Sequence, residues 1–341
     1  MMTTRRRLLQ AAALGAMWGV GGRAVAAPAL RKLTIGVGGY TFAYLPLFVA
    51  NAAGFLAEEG LQIDLVQTGS GATAMAAMLG GSFDICGLVL SDVILAATKN
   101  QKFSVFAPLM AQYASDAIIS KTAAERVGLQ PGMPLIERIK RLKGLTLAVS
   151  GRGSGIDKMW RYLFKLADMD ADRDVTLTVI KLDQMYPALR AGQIDGYNTT
   201  APSNNRAIDE GLAVWVARPS QGEVPGLQGF VYTILAASPA ALQTNRAELT
   251  SLARGLARAN ALINDDPTKA ADAVHQTLWS QTDLVLLQHA VADQRAAFPR
   301  RMTLTPQAVD QNKDFMQGFG DDVKSVSYKD IIDSSVIDAL T

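Results

Sequence analysis

Two glycine-rich turns hold the residues best suited to chemistry. Gly69-Ser70-Gly71-Ala72 follows a β-rich run and opens a helical one, and Gly151-Arg152-Gly153-Ser154 does the same further along. A helix that starts on such a turn presents free backbone N–H groups, and its dipole favours negative charge there. Arg152 is the only arginine or lysine within the two turns, and its planar fork suits a sulfonate, carboxylate or phosphate. An anionic solute is the expectation. Each residue also has a structural reading: Ser70 and Ser154 suit helix N-caps, and Arg152 suits a solvated rim charge or a salt bridge.

Other chemistries find less support. Gly69-Ser70-Gly71-Ala72-Thr73-Ala74 fits the G-x-G-x-x-A form of a dinucleotide fingerprint, but it follows the second strand of its unit, and a lone match is weak. Gly151 to Gly155 spaces its glycines as G-x-G-x-G, which is neither a Walker loop nor a nucleophile elbow. One cysteine, Cys86, and two histidines, His275 and His289, leave no intramolecular disulfide and no multi-cysteine or multi-histidine metal site. Cys86 lies in an apolar run and reads as an inert buried thiol. Both histidines fall in helical stretches and read as surface or packing residues. The expectation is therefore no catalytic residue, no metal and no cofactor.

The elements that position these turns come from an internal repeat. Ala77-Met78-Leu79-Gly80-Gly81-Ser82-Phe83-Asp84 matches Ala188-Leu189-Arg190-Ala191-Gly192-Gln193-Ile194-Asp195, and Leu33 to Val37 matches Leu145 to Val149. Each copy runs as strand, glycine-rich turn, helix (Leu45 to Glu59; Ile156 to Ala167), strand (Gln62 to Gln67; Val175 to Ile180) and a short helix. A strand from Phe83 or Ile194, another helix and a fourth strand complete it. Such alternation predicts two α/β lobes with mainly parallel sheets. Asp84 and Asp195 begin equivalent strands and read as structural.

Strand-like runs at Ala117 to Ser120 and Phe230 to Ala236 carry the chain between lobes and back, forming a hinge with a cleft. Residues 27–112 and 237–341 are expected in lobe 1 and 113–236 in lobe 2. A long helix starting at Pro239, with Leu242, Leu249, Leu252, Leu256 and Leu262 on its apolar face, opens a helical C-terminal part.

Ligands of open parallel sheets bind beyond the carboxyl ends of strands. That rule selects Tyr40, Thr41 and Phe42; Ser70, Gly71 and Ala72; Ser91, in the segment Leu90-Ser91-Asp92; Arg152, Gly153 and Ser154; Gln184; and Asn198 and Thr199. Tyr40 and Phe42 suit an organic body or a ring, Phe42 being equally suited to the core. Asn198 and Thr199 also suit turn backbone.

With 341 residues and 49% hydrophobic composition, the chain is large enough for two such lobes. Its net charge of +2 owes everything to Arg5, Arg6, Arg7 and Arg23, because residues 1–26 hold no acid. The remaining body is slightly acidic, which argues against nucleic acid. Those first residues read as an export signal: a basic start, an uncharged stretch from Leu8 to Gly22 and the small-x-small site Ala24-Val25-Ala26. Thr4-Arg5-Arg6-Arg7-Leu8-Leu9 also resembles a twin-arginine signal, with an ordinary secretory signal as the alternative. No cysteine stands at the cleavage point, so the expected product is periplasmic, soluble and without a lipid anchor.

Ala50-x-x-x-Gly54-Phe55-Leu56-Ala57-Glu58-Glu59-Gly60-Leu61 resembles the early signature of periplasmic solute-binding proteins of ABC importers, in the nitrate/sulfonate/taurine and thiamine-precursor group. Gly69-Ser70-Gly71, Leu79-Gly80-Gly81-Ser82-Phe83-Asp84, Leu142-Lys143-Gly144 and Ala191-Gly192-Gln193-Ile194-Asp195 fit the same pattern. The resemblance implies a type II periplasmic-binding-protein fold, a monomer with its ligand between the lobes, and a permease and ATPase as partners. Where relatives read Asp-Ala and later Glu-Pro, this chain has Asp195-Gly196 and Thr200-Ala201-Pro202, in a loop that faces the cleft in the family. A ligand-sensing module for a membrane receptor is an alternative. The pyrimidine synthase of yeast thiamine biosynthesis shares the fold, but its cysteine-rich segment and substrate histidine have no counterpart in these loops.

Overall fold

Short buried strands alternate with helices throughout the computed structural model, which describes residues 30–69 and 71–340. In chain order the strands are β1 (Arg31–Val37), β2 (Leu61–Gln67), β3 (Ile85–Val89), β4 (Ser104–Pro108), β5 (Asp116–Ser120), β6 (Thr146–Val149), β7 (Thr176–Val179), β8 (Gly196–Thr199), β9 (Ala213–Ala217) and β10 (Thr233–Ala237). They form two five-stranded sheets, ordered β2-β1-β3-β10-β4 and β7-β6-β8-β5-β9. The two orders are the same. In each sheet the fourth place is taken by a strand arriving from the other half, and that strand alone runs antiparallel to its neighbours. Both inserted strands carry a bulge, at Leu235/Ala236 and Ala117/Ile118.

This is the two-lobed α/β architecture expected from the repeat, with one difference in bounds. β10 pairs in the first sheet along its whole length, so residues 233–236 stand with lobe 1 rather than lobe 2. Helices cover both faces of each sheet, and the strands are buried accordingly, as in β8 and β10, where every residue is buried.

One glycine explains a departure from the family pattern. A Cβ on Gly196 would stand 2.4 Å from the Ile118 carbonyl oxygen and 2.8 Å from Ile119 Cγ2. Only glycine lets β8 lie this close to the crossing strand β5. Beside it, Asp195 accepts from the Thr146 backbone at 2.8 Å and pairs with Arg126 at 2.6 Å, tying the strand start to β6.

Two expected helices are broken. The Leu45–Glu59 stretch divides into Leu45–Ala52 and Phe55–Glu58, because Gly54 takes a left-handed conformation with φ of 79°. The stretch from Pro239 divides into Pro239–Thr244 and Arg246–Asp265, with Asn245 at φ −111° and ψ 23° between them. The longer piece packs Leu249, Leu252 and Leu256 fully into the core, against the Leu45–Ala52 helix of lobe 1. No helix among the described residues is long and apolar enough to cross a membrane. The expected export segment, residues 1–26, lies outside the described residues.

Candidate interlobe binding site

The two crossings bring two tyrosines together. Tyr113, just before β5, and Tyr232, just before β10, stack with ring centroids 4.4 Å apart and planes inclined by 28°. Phe230 and Phe315 close the cluster from the side, at 5.2 and 5.5 Å from the Tyr113 ring. The helix Gly155–Leu166 of lobe 2, which begins on a glycine, packs against both tyrosines. Tyr113 donates to the Gly155 carbonyl at 2.7 Å. A Cβ on Gly155 would sit 3.2 Å from the Tyr232 hydroxyl and 3.4 Å from that of Tyr113. Tyr44 of lobe 1 packs its ring where a Cβ on Gly87 would fall, 2.6 Å away.

Burial raises all three phenols above their ordinary value, Tyr44 to about 12 with the Gly38 backbone acting in the opposite sense. Each also feels the negative field of one carboxylate, Asp92.

Asp92 lies in the first turn of the Leu90–Thr98 helix. Its Oδ2 is 3.6 Å from where a Cβ would stand on Gly71, the first residue of the Gly71–Leu79 helix. Burial raises its pKa, and Lys158 of lobe 2 pulls it down. Among the described residues no hydrogen bond or ion pair reaches this carboxyl. Lys158 itself pairs with Asp321, at 3.1 Å.

The residues expected to hold an anion are otherwise engaged. Ser154 accepts from the Asp157 backbone at 3.3 Å, and Asp157 Oδ2 accepts from the Gly153 backbone at 2.7 Å. This reciprocal cap fills the helix start with the chain's own carboxylate. Asp157 is buried and also takes a bond from Arg161 at 3.2 Å. Arg152 donates to Asp172 at 2.8 Å, both side chains being more than half exposed. It is an ion-pair partner on the surface of lobe 2. Arg161 and Arg152 together hold the Asp172 carboxyl down at about 2.

Of the other expected contacts, three are buried and one is exposed. Phe42 is wholly in the core, edge-on to Trp279 at 5.5 Å. Its backbone N–H donates across the lobes to the Ala201 carbonyl at 3.1 Å. Asn198 is wholly buried, accepting from Ser115 at 2.6 Å and donating to the Ile156 carbonyl at 3.0 Å. Thr199 is buried in register with Asp116 at the end of β8. Gln184 is exposed and turned to its neighbour Asp183 at 3.2 Å. These four side chains serve packing, backbone satisfaction or solvent.

The remaining expected residues sit around the lobe 1 side. Tyr40 is exposed with its edge toward Phe48, Thr41 precedes the short turn Phe42–Tyr44, and Ser91 is buried beside Asp92. Gly71 and Ala72 open their helix, while Ser70 lies outside the described residues. Four residues that bring the site together were not singled out from sequence: Tyr44, Tyr113, Tyr232 and Lys158. Asp92 stood in a selected segment that yielded only Ser91.

Cys86 is buried in β3, its thiol pushed up to about 12 by burial. His275 contacts the Thr282 carbonyl at 3.0 Å, and His289 is an exposed side chain 3.8 Å from Asp209.

Comparison with solved structures bears out the fold. A protein from Bordetella bronchiseptica RB50 superposes with a TM-score of 0.76 over 90% of this chain and 96% of its own, at 20% identity. The alkanesulfonate-binding protein SsuA from Xanthomonas axonopodis pv. citri, bound to MOPS, gives 0.66 over 86% and 94%, at 18% identity. Among curated proteins, a bicarbonate transport ATP-binding protein of Synechocystis is 27% identical over 60% of this chain. The chain spans a third or less of the length of the curated relatives it matches. The model of the NMT1-like family matches residues 26–278, and the chain belongs to that family.

Proposed function

We propose that this chain is the solute-binding component of an ABC importer, exported to the periplasm as a soluble, unanchored monomer, where it delivers a small solute to a permease and its ATPase. The observation that carries this reading is an aromatic cluster drawn from both lobes, in which Phe315 of lobe 1 packs on Tyr113 and Phe230 at the crossings. Tyr113 and Tyr232, which lead into the two crossing strands, meet the start of the Gly155–Leu166 helix. The family membership supports it, as does the printed role of the SsuA protein that shares the fold.

The lobes touch on both flanks of the site. Phe42 reaches Ala201, Lys158 reaches Asp321 at 3.1 Å, and Asp293 takes bonds from Arg218 at 2.6 Å and Asn205 at 3.0 Å. Such contacts are what a hinged pair gains on closing. A solute that touches both lobes favours that state by its differential affinity for it. Binding without turnover fits the buried thiol of Cys86, which donates to the Ala74 carbonyl at 3.4 Å, and the places of His275 on Thr282 and His289 beside Asp209.

Thermal melting against sulfonates, nitrate, carboxylates, amines and pyrimidines tests the reading. One class raises the melting temperature by linkage and is recovered unchanged after incubation. A flat response to every class, or conversion of any of them, would contradict it.

A further inference from the structure

The C-terminal helices reach back over lobe 2 on both flanks of the hinge, and the two flanks are built differently. On one, the helix Leu284–Gln294 presents Asp293, which accepts from Arg218 at 2.6 Å and Asn205 at 3.0 Å, and Gln294, which donates to Asp116 at 2.9 Å and the Ser220 hydroxyl at 3.2 Å. Asp116, Ser220 and Gln294 have no exposed surface. Parting the lobes here would strip a buried carboxylate of a donor, which is expensive.

On the other flank, the helix Pro306–Gln317 packs on the Leu90–Thr98 helix of lobe 1 and holds the return crossing, Asn312 donating to the Val231 carbonyl at 3.1 Å. Its end meets one face of the Gly155–Leu166 helix, made by residues four and three apart. Lys158 donates to Asp321 at 3.1 Å, the Tyr162 ring lies 5.2 Å from that of Phe315, and Lys165 donates to the Gly318 carbonyl at 3.2 Å. A cavity of about 580 Å³, lined by Lys158, Arg161, Lys165, Phe319 and Asp321, runs between these pieces, and Lys165 and Gly318 are exposed.

We propose that residues 318–321 form a clasp that draws lobe 2 in through Lys158 and Lys165 before any solute arrives and lets go when the molecule opens, while the Asp116–Gln294 flank stays joined as the pivot. The inference rests on the solute-binding reading and divides its interlobe contacts into a fixed set and a releasing one. Water reaches the releasing contacts, so the lysines and the carboxylate are rehydrated as they part. A part-exposed ion pair is weak, so the clasp biases the lobes without locking them. Lys158 lies one turn beyond Gly155, whose carbonyl takes the Tyr113 bond, so a solute that seats that helix start also seats the clasp.

Double electron–electron resonance between spin labels at Lys140→Cys and Lys324→Cys, exposed positions of lobe 2 and of the C-terminal part, reads the separation in the ligand-free chain; Cys86 is buried and stays unlabelled. Asp321→Lys and Lys158→Asp are each expected to lengthen that distance, and the two together to return it toward the parent value. Asp321→Asn lengthens it too and keeps the test open should a charge reversal unfold the chain. Asp293→Asn, on the other flank, lowers the melting temperature and leaves the distance as it was. Folded single variants with the parent distance, or a double variant no nearer the parent than the singles, overturn the clasp; an Asp293→Asn variant that separates the lobes overturns the pivot. Either result leaves solute capture standing, because that reading fails on a different measurement, a melting temperature that no solute raises.

Discussion

Asp92 and Asp157 each stand beside a helix start, and their surroundings differ. Asp157 accepts from the Gly153 backbone and from Arg161, so its charge is spent inside lobe 2. The spacing Ser154-x-x-Asp157 is a capping pattern visible in sequence, and it already signals that an internal anion fills that start. No such signal exists for Asp92, whose surroundings, Lys158 of lobe 2 among them, come from distant parts of the chain. Arg152 was legible as a charge in the right turn, yet its partner Asp172 comes from a loop that only the fold brings near. Arg152→Ala should therefore leave solute affinity unchanged and alter stability by less than about 1 kcal/mol, as exposed pairs do. Titration and denaturant unfolding check both; a tenfold loss of affinity would return Arg152 to the site.

The elements were the most readable part of the molecule. Matching Gly-Ser-Phe-Asp and Gly-Gln-Ile-Asp steps located equivalent strands in both copies, and the two sheets share one strand order. Helix bounds were less legible: a left-handed Gly54 and an irregular Asn245 interrupt apolar patterns that continue across them. Gly196 shows why strand identity matters more than strand propensity. Gly196→Ala would force a Cβ against the Ile118 carbonyl at 2.4 Å, and overpacking of this kind destabilises by about 1 to 3 kcal/mol. Unfolding of the variant measures it, and an unchanged midpoint would mean that β5 and β8 separate freely.

The hinge strand β5 carries a second testable group. Asp116 is wholly buried at its start, accepting from the Ser220 hydroxyl at 2.6 Å, the Ser220 backbone at 3.0 Å and Gln294 at 2.9 Å. Burial outweighs these bonds and pushes its pKa from 3.8 up to about 6. A raised carboxyl favours folding while protonated, so its contribution is fully present below the unfolded value and is lost as pH rises through about 6. The loss is at most about 3 kcal/mol. Asp116→Asn should remove it, so that the stability gap between variant and parent shifts in the variant's favour from pH 4 to pH 7. Parallel pH profiles would contradict this.

At the scale of the whole molecule, the chain crosses from one lobe to the other and returns. This route places Tyr113 and Tyr232 side by side although they lie far apart in sequence. Short-range patterns do not encode that juxtaposition, which is why the lobes were legible and the centre of the site was not. It also joins the hinge to the proposed site: the tyrosines that lead into the crossing strands meet the start of the Gly155–Leu166 helix. On the proposed function, a solute held by both lobes would couple closure to capture by stabilising the closed state.

Native mass spectrometry of the protein isolated from its own cells tests this most directly, read before and after the fold is opened by acid. The account predicts one small molecule per chain, held without a covalent bond and set free with its mass unchanged. A covalent adduct, or a released mixture of a starting compound and its product, would contradict it.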